Sequence, residues 1–238
     1  MNNLINHLFT FHKVQLAVFP EFISFLKGRK KIIRIVIDNS NNPFDFELFK
    51  NFGFFVKEST LFSSLEYNSF GSLVSSIDGL ERNHYTEVKM YSISRSLKEL
   101  VDFEYAEVYG DILKAGAYLG YPKCCINNIE KINTLNSKWA TFYLEQFLEI
   151  KIANHFTNRF PITWGGISII GELFPCSLTC PNAIEYSQHM LSDVIDLGFS
   201  KLSDIMKVHS LRPVYINNEN GEISLDSKSG FEKINFSL

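Results

Sequence analysis

The chain of 238 residues is short of several things, and each shortage excludes something. It has only four cysteines, too few for a disulfide scaffold at this length. No apolar run approaches the ~18 residues that cross a bilayer. Met1-Asn2-Asn3-Leu4 lacks the charged lead of a secretory signal, so a cytoplasmic location with reduced thiols is expected. Lysine and arginine number 23 against 26 acidic residues, and a net charge of −3 offers no field for nucleic acid or an anionic membrane. There is no G-x-S-x-G, no H-E-x-x-H, no H-x-E with a downstream P-C-x-x-C, and no glycine-rich phosphate loop. What abounds is aromatic: 22 Phe and 10 Tyr in a chain that is 45% hydrophobic, ample for a packed core.

The patterning predicts an α+β fold. A small N-terminal α/β sheet unit (1–102) precedes a mainly helical, cysteine-containing half (103–238) that ends in a β-hairpin, with one continuous domain as the alternative to two units. Val14 to Phe19 reads as a strand and Pro20 to Lys27 as a short helix. Lys31 to Asp38 (KIIRIVID) is apolar and β-branched, the clearest strand in the chain. Pro43 leads into a helix over 44–52 that Gly53 ends, and Phe54 to Glu58 is a second strand, so parallel pairing of the two is expected. Strands follow at 72–77 and, alternating, at 85–93, then a helix capped by Ser94. From Phe103 one helix runs to Gly120; others cover 139–156 and 182–197, with a short one at 202–207. Asn218-Glu219-Asn220-Gly221 between two short apolar runs signals the hairpin.

All the cysteines lie in two short stretches, Gly120-Tyr121-Pro122-Lys123-Cys124-Cys125 and Phe174-Pro175-Cys176-Ser177-Leu178-Thr179-Cys180-Pro181. A disulfide between the adjacent Cys124 and Cys125 would strain the peptide that joins them. Pro181 fits the first position of a helix with Cys180 at its N-cap, and Cys124 and Cys125 also stand at a predicted helix start, over 126–135. Helix N-termini favour thiolate, so two helix starts can present four sulfurs to one centre. Four explanations compete. An iron–sulfur cluster takes three or four thiolates; the spacing matches neither common ferredoxin pattern, although proline directly after a ligand cysteine occurs there. Structural zinc ordinarily uses two C-x2–4-C pairs, which the vicinal pair fits less well. A thiol/disulfide redox centre is third. The plainest explanation is four unlinked core residues, since free cysteine is commonly buried.

GYPKCC followed by FPCSLTCP resembles the paired motif of a family known as domain of unknown function 483: Gly-Tyr-Pro-x-Cys-Cys, then about fifty residues on, Pro-Cys-Ser-x-x-Cys and a helix. The resemblance covers about residues 105–198. It implies that Cys124, Cys125, Cys176 and Cys180 form the functional set, with Pro175 and Ser177 in support. The chain departs from the pattern at Leu173, where the family has His two residues before the motif proline, so no histidine ligand is expected there. The family name carries no activity.

Other candidates are single residues. Glu104, Glu107 and Asp111 fall near one side of the predicted helix, so Glu107 and Asp111 are acid–base or metal candidates, an exposed charged stripe being the ordinary alternative. His155 is a candidate proton donor or ligand beside a plainer role as a helix cap. Asp38 ends the strong strand, where α/β sheets place binding groups or a turn. Arg82, His84 and Arg95 read as surface, as does His189 on a polar face with Glu185, Gln188 and Asp193. The sequence therefore leads to a cytoplasmic protein, expected to be an enzyme, with an iron–sulfur cluster on the four cysteines and a small-molecule substrate or a small protein partner. The alternative is a non-catalytic zinc-stapled binding or scaffold module. No nucleic acid and no membrane partner is expected.

Overall fold

The computed structural model describes residues 4–5, 18–38, 46–59, 64–67, 73–76, 88–129, 173–177, 179–210, 214–217 and 222–225. In chain order these form α1 (Val18–Leu26), β1 (Ile32–Asp38), α2 (Glu47–Asn51), β2 (Phe55–Glu58), β3 (Ser64–Tyr67), β4 (Leu73–Ser76) and β5 (Val88–Ser94). Then come α3 (Leu97–Val108), α4 (Ile112–Tyr118), α5 (Lys123–Ile126), α6 (Pro181–Asp196), α7 (Ser200–Ser210), β6 (Val214–Asn217) and β7 (Glu222–Leu225). The helices and a small sheet make an α+β fold. The predicted helix over 139–156 with His155, and the residues Arg82 and His84, lie outside the described residues. Among the described residues no helix is long and apolar enough to cross a membrane.

The sheet has the order β1-β5-β2, with β5 antiparallel to both neighbours. This corrects the expected parallel pair. β1 and β2 do run the same way, but β5 arrives later in the chain and inserts between them, giving each an antiparallel ladder, slightly the stronger kind per residue. Both faces of β1 are covered, which is why KIIRIVID reads as a continuous apolar run rather than an alternating one. Ile33 and Ile35 join a core with Phe22, Phe25, Ile93, Val194 and Met206. On the other face Ile32 packs with Leu100, Phe103 and Leu119, and Arg34 pairs with Glu107 of α3 at 3.0 Å. The first of these clusters draws on residues from both sides of position 102.

Local chemistry explains the other departures. Val18 and Phe19 begin a helix, not the end of a strand; Pro20 sits in its first turn, where no amide hydrogen bond is lost. The expected long helix from Phe103 breaks into α3 and α4. Gly110 takes the left-handed conformation (φ 71°) and Asp111 caps the next helix by accepting from the Lys114 amide at 3.0 Å. Ser96, not Ser94, caps α3, through the Glu99 amide at 3.3 Å. The Ser94 hydroxyl instead donates to the Lys31 carbonyl at 3.0 Å, tying β5 to the start of β1. The C-terminal hairpin forms as expected from β6 and β7, and β3 pairs with β4 in a second one.

Asp193 is a further correction: it is 1% exposed rather than on a solvated face. Helix α1 lies against that side of α6. The Ser24 hydroxyl donates to Asp193 Oδ2 at 2.8 Å, and Arg29 Nε donates to Oδ2 at 2.8 Å and to Oδ1 at 3.0 Å. A buried carboxylate is tolerated only with such partners. Asp193→Ala should therefore lower the urea midpoint by the equivalent of about 2–4 kcal/mol, because it strands a buried hydroxyl and a half-exposed guanidinium. Asp193→Asn, which keeps the Ser24 bond, should cost clearly less in the same titration.

Candidate metal centre

The first cysteine stretch is aimed by its glycine. Gly120 adopts φ 73°, and a Cβ there would stand 3.2 Å from the Arg29 carbonyl oxygen and 3.3 Å from Lys30 Cγ. Only glycine combines that backbone with so close an approach. The chain thus leaves α4 flat against the turn between α1 and β1. Pro122 is extended (φ −60°, ψ 133°) and is the N-cap of α5. Cys124 and Cys125 lie inside that single turn; of the helix expected over 126–135, positions 130–135 lie outside the described residues. Adjacent positions on a helix diverge, so Cys125 is buried while Cys124 is half-buried.

The second stretch behaves as its proline predicts. Cys180 is the N-cap of α6, with Pro181 at the first helical position. The Cys180 amide donates to the Ser177 carbonyl at 3.1 Å, closing the turn that follows Cys176. Pro175 and Leu173 are buried beside it. Leu173 belongs to the same buried apolar cluster as Cys125, Cys180 and Ala183.

The four sulfurs meet. All lie within 4.8 Å of one another. Cys124 and Cys125 Sγ are 3.9 Å apart, Cys124 and Cys180 3.7 Å, and Cys125 and Cys180 3.9 Å. None is in a disulfide. Among the described residues this is the one group of three or more Cys, His, Asp or Glu side chains placed to share an ion. It can hold a metal.

The electrostatics also suit a cation. Burial, aided by the neighbouring thiols, raises the Cys125 thiol far above its ordinary value, although the Cys176 backbone N–H favours its charged form. Burial and Cys180 push Cys176 up to about 11. For Cys124 burial also acts upward, but hydrogen bonds, foremost that from Asn182, hold it below the usual thiol range. Cys125 and Cys176 are thus kept protonated, and a divalent cation reverses that balance by deprotonating its ligands outright.

Sequence reasoning missed the residues around the sulfurs. Asn182 Nδ2 lies 3.2 Å from Cys124 Sγ; its place in the first turn after Cys180-Pro181 was the available signal. Lys30 is 1% exposed and pairs with Glu21, also 1% exposed, at 3.2 Å. Its ammonium lies 4.7 Å from the Tyr121 ring centre and 5.5 Å from that of Tyr186, and both rings pack against the thiol cluster. Tyr121 was visible as part of the motif; nothing in Gly28-Arg29-Lys30-Lys31 showed that Lys30 goes inside.

The other candidates stand elsewhere. Glu104 pairs with Lys57, Glu107 with Arg34, and Asp111 caps α4, so these three carboxylates serve three different partners. Asp38 ends β1 opposite Val88. Arg95 donates to the Leu26 carbonyl at 2.9 Å and stacks on the Phe25 ring. His189 is half-exposed, 3.5 Å from Glu185, as expected of a surface pair.

The centre depends on a close helix contact. A Cβ on Gly116 of α4 would stand 2.8–3.0 Å from Ile126, the buried neighbour of Cys125. Gly116→Ala gains about 1 kcal/mol in helix propensity but overpacks by about 1–3 kcal/mol. We expect a net loss in melting temperature and weaker metal uptake, measured by differential scanning calorimetry and metal analysis; Ile126→Val in the same background should recover part of both. No protein-family model, curated protein or solved structure matches the chain.

Proposed function

We propose that Cys124, Cys125, Cys176 and Cys180 hold a single metal ion in a tetrahedral thiolate site that staples α5 to the start of α6. The observation that carries this is the sulfur spacing. In a tetrahedral zinc site with Zn–S bonds of about 2.3 Å, ligand sulfurs stand about 3.8 Å apart; the three pairs among Cys124, Cys125 and Cys180 are at 3.7, 3.9 and 3.9 Å, and Cys176 lies within 4.8 Å of each. A four-iron cluster binds each cysteine to a different iron, so its ligand sulfurs stand farther apart than those on one ion. The compact set favours one ion over that cluster, and thiolate ligands favour zinc or iron among common metals. Unpaired cysteines suit a reducing compartment. The motif's likeness to domain of unknown function 483 adds to the case that these four cysteines act together.

A second reading makes the centre catalytic, with an iron–sulfur cluster acting on a small molecule. It is favoured by one observation: Cys125 also forms part of the wall of a cavity next to the centre. The two separate cleanly. Protein purified without oxygen should be colourless and contain about one zinc per chain, by metal analysis and absorption spectroscopy. A brown protein with several irons and inorganic sulfide per chain would overturn the single-ion site in favour of the cluster. Under either reading Cys180→Ala should lose most of the metal while the antiparallel sheet keeps its circular dichroism; unchanged metal content would remove Cys180 from the ligand set.

A further inference from the structure

Helix α3 wears its polarity inside out. A surface helix ordinarily turns its charged side to water. Here all four acids of the helix are engaged by neighbours within the chain. Glu99 pairs with Lys31, Asp102 accepts from the Tyr118 hydroxyl at 3.3 Å, Glu104 pairs with Lys57, and Glu107 pairs with Arg34. Of the exposed residues of α3 only Lys98 is charged. The rest of that outer face is apolar: Leu97, Val101, Tyr105 and Val108, with the C-cap Tyr109, are 49–69% exposed. The Tyr105 and Tyr109 rings lean together, their centres 4.1 Å apart, as a single plate. These five side chains offer roughly 600 Å² to solvent, the upper end of the ~300–600 Å² typical of the largest apolar patch on a monomer.

We propose that a second copy of this chain docks antiparallel on this face, so that two α3 helices cross about a two-fold axis. Area supports it: a standard interface buries about 800 Å² per partner, which the apolar face and its polar rim together reach. The order of side chains supports it too. Leu97, Val101, Tyr105 and Tyr109 stand four apart and form one ridge, the kind that interdigitates in the commonest helix packing. That ridge is aliphatic in its first half and aromatic in its second. A two-fold axis between Val101 and Tyr105 sets Leu97 against the partner's Tyr109 and Val101 against the partner's Tyr105. Each smaller side chain then meets a large ring, whereas parallel pairing would set like halves together. Closed two-fold pairing requires this self-complementarity, because one patch serves both sides. Charge agrees. The same axis carries Lys98 to the end of the partner's α3, where the exposed acid is the partner's Asp111. The inference is independent of the thiol centre and of the ion it holds.

The test is sedimentation equilibrium of the full chain as purified, at about 1–100 µM, a range that brackets the affinity of a small two-fold interface. We expect twice the mass of one chain at the top of the range. Tyr105→Glu, which sets a charge in the middle of the face, should weaken the dimer by about tenfold or more. Lys98→Glu, which brings a like charge to the partner's Asp111, should weaken it several-fold, and more so at low salt. Val208→Glu removes an apolar residue of α7 that is 61% exposed, away from the face, and should change nothing. A chain that stays monomeric throughout would overturn the proposal. Nitration with tetranitromethane would then show whether Tyr105 and Tyr109 stand bare or are shielded by another part of the same chain. A dimer unmoved by Tyr105→Glu, or one weakened equally by Val208→Glu, would also overturn it. Should Tyr105→Glu lose its native circular dichroism, Val101→Glu decides in its place.

Discussion

A buried ammonium holds this molecule in register. Lys30 cannot stay charged in the interior without Glu21, and breaking such a pair costs about 3–5 kcal/mol. Satisfying it fixes α1 against the turn before β1. The Tyr121 and Tyr186 rings close over the same cation, and they belong to the first cysteine stretch and to α6. One residue earlier, Arg29 reaches Asp193 on α6. The short turn between α1 and β1 therefore clasps both cysteine-bearing segments, and the thiols converge because their supports do.

That clasp gives the sulfur cluster its character. The cations and rings lie behind it, Leu173 and Ala183 pack on it, and Cys124 and Cys176 remain half-buried. Burial keeps Cys125 and Cys176 as neutral thiols in such a place. A bound cation would be what favours their thiolates. Cys125 belongs both to the thiol cluster and to the wall of the cavity next to it.

Much of this was legible in the chain. Cysteine-rich words ending in Cys-Cys and Cys-Pro announced a shared centre, because proline and helix starts are local signals. The strand at Lys31 to Asp38 was plain because both of its faces are covered. Less legible was anything decided by a distant partner. The insertion of β5 between β1 and β2 depends on chain order in space, not on the composition of either strand. The apolar spacing through Gly110-Asp111 reads as continuous helix, since a glycine and a capping aspartate can occur inside one; here they divide two. Asp193 and Lys30 look like surface residues in every local window. Their burial follows from partners more than 160 positions away in one case and from packed aromatic rings in the other.

The separation of the ligands along the chain has a consequence of its own. Cys124 and Cys180 are 56 positions apart. A disordered chain rarely brings such distant ligands together, so an ion shared by them would bind the folded chain and not the unfolded one. Its whole affinity would then count towards folding, and the melting point would rise with the concentration of free ion.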